Sequence, residues 1–239
     1  RPQIVPTSQA PEHVGPQISW FGRAHGLKAT QVHQMALDSC GELWCATPLG
    51  LLHYDGVNWK THAKRSGLKC HGLRCVAPAA DGSLWVGTLH SGLYHFKSSD
   101  IAGEKPERYL HQPNIASSIN SNQIHSITKD GEGNLWVGTV NGVNKMKKDS
   151  ENGFIQFEAL NESVKSLFLD RKNRLWIGLE GLLLFCIEHP ESFDSPEQTN
   201  FKQFDFDLEL TDKAEYGGLI AINQAAGDNL WLGIHGVGL

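Results

Sequence analysis

Residues 130–146 read DGEGNLWVGTVNGVNKM, and this stretch decides the fold. Asp130-Gly-Glu-Gly is a turn signal, because Asp bonds its own downstream amides and Gly reaches positive φ without strain. Leu135-Trp-Val-Gly-Thr139 has the aromatic and β-branched character of a strand. Asn141-Gly142 then marks a hairpin, and residues 143–146 return as a third strand. Four more segments align on the same tryptophan: DSCGELWCATPLGLLHYDG (38–56), ADGSLWVGTLHSGLYHF (80–96), DRKNRLWIGLEGLLLF (170–185) and GDNLWLGIHGVGL (227–239). Their anchors, Trp44, Trp85, Trp136, Trp176 and Trp231, lie 41, 51, 40 and 55 residues apart, and they account for five of the seven tryptophans. This is an internal repeat.

Each unit has an apolar strand, an Asp/Gly/Asn turn, the Trp strand, a Gly turn and a third strand. A polar stretch follows (97–122 and 188–214 are examples) with room for a fourth strand and the crossover. Four strands in 40–55 residues match a propeller blade. No window of about 12 residues keeps a helical apolar stripe, so helical repeats of similar period are excluded. In this reading Leu-Trp is a plug between sheets, and the Gly two positions later admits a neighbouring backbone. Thr88 and Thr139 bond locally where the hairpin turns, and Asp38, Asp81, Asp130 and Asp170 serve their own turns. The expected fold is all-β, a β-propeller of four-stranded antiparallel blades over residues 17–239, with residues 1–16 as an N-terminal extension.

Composition narrows the function. The 239 residues are 40% hydrophobic with net charge −5, and no basic run exceeds Lys147-Lys148, which argues against a nucleic-acid partner. The longest apolar stretch, residues 182–187, is far below the roughly 20 residues of a membrane helix, so no membrane contact is expected in this segment. Arg1-Pro-Gln-Ile-Val-Pro6 lacks the features of a signal peptide. The five cysteines (40, 45, 70, 75 and 186) form no CxxC and read as buried or incidental thiols, with a disulfide open if the domain is exported.

The five segments resemble the two-component regulator propeller repeat, roughly Asp-x-x-Gly-x-Leu-Trp-φ-Gly-Thr-x-x-Gly-Leu, best at 130–143 and 81–93. His25-Gly-Leu-Lys and Ser66-Gly-Leu-Lys resemble that family's linker between blades. The resemblance implies an exported sensor region, periplasmic or extracellular, joined through a membrane helix to a histidine kinase or diguanylate cyclase. The fifth unit reaches residue 239 as its third strand should begin, and Ile18-Ser-Trp-Phe21 resembles a ring-closing outer strand. The expectation is therefore part of a seven-bladed propeller, with a five-bladed ring as the alternative.

A site must come from side chains. Eleven residues before each anchor stand His33, Arg74, His125, Lys165 and Ile220, each preceded by an apolar residue (Val32, Leu73, Ile124, Val164 and Leu219). That alternation gathers a basic set at the start of the innermost strands, around a channel mouth. The hairpin residues His90, Asn141, Glu180 and His235 are expected on the same face. Such a cluster suits a small anionic or polyhydroxylated ligand, a carbohydrate or organic anion. Channel hydration alone would also favour polar residues there. The chain has no GxSxG, phosphate loop or HExxH, so neither catalytic residues, cofactor nor metal is expected. A propeller enzyme with a channel-face His and a protein-interaction propeller are the alternatives, with Trp20, Trp59, Tyr54 and Tyr94 read either as an interaction surface or as caps on the blades. Self-association or packing with a second propeller is a further expectation.

Overall fold

The computed structural model describes residues 31–62, 72–98, 105–148, 153–204, 218–225 and 227–235, with Gly22, Gly26, Leu27, Ala29, Leu68 and Ile101. The N-terminal extension, the strand expected at 18–21, Trp20, Cys70 and the third strand expected from Gly236 lie outside the described residues.

The repeat becomes a series of antiparallel meanders. Blade 1 is β1 (Gln34–Leu37), β2 (Leu43–Thr47), β3 (Gly50–Tyr54) and β4 (Trp59–His62). Blade 2 is β5 (Leu73–Pro78), β6 (Leu84–Thr88), β7 (Leu93–Phe96) and β8 (Glu107–Tyr109). Blade 3 is β9 (Ile124–Lys129), β10 (Leu135–Thr139), β11 (Gly142–Met146) and β12 (Ile155–Gln156). Blade 4 is β13 (Val164–Leu169), β14 (Leu175–Leu179), β15 (Leu184–Ile187) and β16 (Lys202–Phe204). Of blade 5, β17 (Leu219–Gln224) and β18 (Leu230–Ile234) are described. The first strands β1, β5, β9, β13 and β17 pack on one another in chain order and form the inner edge. The described helical turns are short 3-10 pieces, at 158–160, 180–182 and 190–192.

Alternation along each strand assigns one face to the blade ahead and one to the blade behind. Trp44 packs with Leu73 and Val76 of blade 2, and Trp85 with Ile124, Ile127 and Val137 of blade 3. Trp136 meets Val164, Leu167 and Ile177 of blade 4, and Trp176 meets Leu219 and Ile222 of blade 5. Those four indoles are 0–6% exposed, whereas Trp231 is 59% exposed. At the other end of the series, Met35 and Leu37 of blade 1 are exposed as well.

The glycine two residues after the anchor is explained by crowding from the next blade together with the blade's own inner strand. A Cβ on Gly87 would lie 2.6 Å from Ile124 Cγ2, and one on Gly138 would lie 2.4 Å from Val164 Cγ1. One on Gly178 would lie 2.8 Å from Leu219 Cβ. The expected neighbour was a backbone; the structure corrects this to side chains of the next inner strand and of the blade's own inner strand (Cys75 at Gly87, Ser166 at Gly178), with backbone reaching within 2.9 Å at Gly178.

The turn aspartates do more than cap turns. Asp130 accepts from the backbone of Glu132 and Asn134 and from Trp136 Nε1 at 3.0 Å. Asp38 and Asp170 hold Trp44 and Trp176 in the same way, at 3.0 and 2.9 Å. Burial disfavours the Asp170 charge, but the indole and Arg174 bonds outweigh it and hold the carboxyl below its usual range. Asp81 departs from the expected equivalence. It lies two positions later, with Ala79 in the slot, and caps Ser83 N at 2.9 Å. The hydroxyls of Thr47, Thr88 and Thr139 donate across the hairpin to Gly50, Gly92 and Gly142 carbonyls, as their position predicts.

Candidate functional site at the channel mouth

The basic set stands at one register position, and that position is a β-bulge. Strand pairing skips from Leu73 to Cys75, Ile124 to Ser126, Val164 to Ser166 and Leu219 to Ala221, which leaves Arg74, His125, Lys165 and Ile220 outside the ladder. Such a bulge re-aims the extra side chain. In blade 1 the equivalent His33 immediately precedes β1 and is tied by its N–H to Ala46 O at 2.9 Å. The preceding apolar residues Leu73, Ile124, Val164 and Leu219 are fully buried, while Val32, at the free face of blade 1, is exposed.

The second-to-third-strand hairpins lie at this same end. Leu89, Val140, Glu180 and His235 donate their backbone N–H to the carbonyls of Gly72, Gln123, Ser163 and Gly218, just ahead of the inner strands. One bond therefore ties each of these four hairpins to the bulge of its own blade.

Two imidazoles bridge adjacent blades. His33 Nδ1 lies 2.6 Å from Leu73 O, and His125 Nδ1 lies 2.7 Å from Val164 O. A carbonyl requires Nδ1–H there, so in the neutral ring Nε2 is the acceptor. Burial above all, with the Lys165 and Arg74 cations adding to it, keeps His125 below the usual imidazole range; the Val164 carbonyl and Glu180 oppose the shift. Arg74, His125, Lys165 and Glu180 thus share one electrostatic neighbourhood. Lys165 Nζ sits 3.3 Å from Glu180 Oε2.

The remaining candidates are placed less tightly. Asn141 accepts from Asn120 Nδ2 at 2.7 Å through its carbonyl and is part of a loop network with Thr139 and Asn144. His90 and His235 are exposed on their hairpins, and Ile220, the apolar member of the set, is exposed too. Sequence reasoning overlooked Ser163, whose hydroxyl is buried without a hydrogen-bond partner beside Val164. Only its place one residue before the apolar slot signals it. Of the aromatics read as surface candidates, Tyr94 is buried between blades 1 and 2, and Trp59 packs on Tyr54 and the Cys45–Leu52 cluster. A cavity of about 610 Å³ opens at the opposite end, between blades 2 and 3, lined by Trp85, His95, Glu107, Tyr109, Lys129 and Met146 among others.

Residues 118–141, the crossover and Trp strand of blade 3, match the family described as two component regulator propeller. The match covers one repeat, 24 of the 239 residues. Histidine kinase P4 of Formosa agariphila is 27% identical over 142 residues, which is 54% of this chain and 10% of that protein. The extracellular domain of a hybrid two component system from B. thetaiotaomicron superposes with a TM-score of 0.56 at 21% identity, covering 87% of this chain and 31% of that one. Virginiamycin B lyase of Staphylococcus aureus superposes with a TM-score of 0.58 at 15% identity, covering 84% of this chain and 62% of that one. These superpositions show a shared propeller fold, and this chain spans about a tenth of the curated kinase. No described helix is long and apolar enough to cross a membrane.

Proposed function

We propose that this propeller segment is the extracytoplasmic, non-catalytic input domain of a signal-transduction protein and that it binds a small carbohydrate or organic anion at the channel mouth. The observation that carries the reading is the bulge series, which presents Arg74, His125 and Lys165 at one equivalent position beside the hairpin loops. Two cations attract an anion, and the neutral imidazole accepts a hydroxyl hydrogen bond. The likeness to extracellular two-component domains supports the extracytoplasmic placement. Signal output would follow if the ligand binds one blade arrangement better than another, since only differential affinity shifts a population.

The test is a thermal-shift screen of neutral sugars, uronic acids and dicarboxylates, followed by calorimetry on each hit. Arg74→Ala or Lys165→Ala should weaken an anionic hit by about 10–100-fold, the loss of one charged hydrogen bond. Unchanged affinity in both variants would remove the site. Recovery of the ligand unaltered after prolonged incubation is expected of a binding domain; a cleaved or eliminated product would turn the reading to an enzyme.

A further inference from the structure

The repeats provide internal controls for one another, and blade 1 breaks their pattern at the end opposite the channel mouth. In blade 3 the residue two before the anchor, Asn134, donates its amide to both Asp130 oxygens, at 3.1 and 2.9 Å. In blade 4 Arg174 fills that slot and donates Nε to Asp170 at 2.6 Å. Blade 2 has Ser83 there and no aspartate in the capping slot. Blade 1 alone among the described blades sets a carboxylate, Glu42, against the capping carboxylate of Asp38. The cross-strand partner of Trp44 adds an imidazole: His53 stacks on the indole at 4.1 Å and turns Nε2 to Glu42 Oε2 at 2.8 Å.

We infer that Asp38, Glu42 and His53 bind one divalent transition-metal ion. Their ligand atoms all lie within 4.8 Å of one another, a spread that a single ion can bridge after small side-chain adjustment. Asp38 is held by Trp44 Nε1 and two backbone amides, and buried His53 is fixed by its stack on Trp44, so two of the three ligands are already positioned. Asp38 has lone-pair capacity left after these bonds. Two carboxylates and one imidazole suit Zn²⁺ or Mn²⁺ better than Ca²⁺, which prefers an all-oxygen shell. Three protein ligands leave further positions for water. The ion also takes the place, beside the capping carboxylate, of the hydrogen-bond donors that Asn134 and Arg174 offer in blades 3 and 4.

The experiment is calorimetry and thermal melting of the chelator-treated chain with Zn²⁺, Mn²⁺ and Ca²⁺. Zinc or manganese should bind one to one and raise the melting temperature, while calcium leaves it unmoved. Glu42→Asn installs the blade 3 residue and His53→Phe keeps the ring stack. Each should fold and weaken binding by at least about tenfold, and the first should melt no lower than the metal-free parent. Absence of binding, affinity undiminished in either variant, or calcium binding as well as zinc would overturn the assignment.

Discussion

Trp136 and Trp231 hold the same place in the repeat and opposite places in the molecule. The first is sealed by Val164, Phe157 and Phe193, whereas the second faces outward from blade 5. Trp136→Ala should therefore cost about 3–5 kcal/mol, and Trp231→Ala about 0.5 kcal/mol or less, in urea unfolding of the same chain. Equal losses would show that the anchor acts within its own sheet and not between sheets. Lys145 is a second residue whose role comes from its neighbours. Its side chain is wholly buried, and Nζ donates to Pro190, Glu191 and Phe193 carbonyls at 2.9, 3.0 and 2.8 Å. Lys145→Met strands those carbonyls and should cost about 1–3 kcal/mol for each one left dry. Nothing in the blade 3 sequence marks this lysine, because its partners lie in a loop of blade 4.

At the scale of elements, the inner strand of one blade fits against the glycine of the blade before. Gly138→Ala places a methyl against Val164, so it should destabilise by about 1–3 kcal/mol. Val164→Ala in the same chain should restore part of that loss, a coupling that a double-mutant cycle measures directly. The Trp strands and their hairpins were legible in advance, since each has a period-two pattern closed by Gly or Asn turns. The outer strands were legible only as stretches. β8 and β12 cover three and two residues, with exposed or half-buried side chains that carry no alternation. The basic set could be found by counting back from the anchors, but the bulges that turn it out of the ladder could not. They arise from pairing between strands. The same limit hid the Asp38–Glu42–His53 cluster, because spacing along one strand says nothing of a residue brought in from the next.

For the molecule as a whole, pH is an informative variable. Burial holds both His95 and His125 below the ordinary imidazole value of 6.5, against Glu107 in one case and the Val164 carbonyl in the other. The unfolded chain thus takes up protons at a higher pH than the native one. Stability is fully present above that value and is lost as pH falls through it and on through the lower native values. Urea midpoints should drop between about pH 8 and pH 5, and His125→Gln should flatten part of the slope. A midpoint that rises on acidification would contradict the burial of these rings. The buried thiols stay out of this range, with Cys45 and Cys186 pushed up to about 11 and Cys75 to about 12 by burial. They are poor nucleophiles at neutral pH.

Gly87, Gly138 and Gly178 each lie against the first apolar side chain of the blade that follows, so these three joints between sheets share one contact, while blade 1 carries Ala46 at that position. Stability in such an array accumulates joint by joint. Duplicating or excising one internal unit leaves a single new joint to form, so length is the easiest property of this architecture to change.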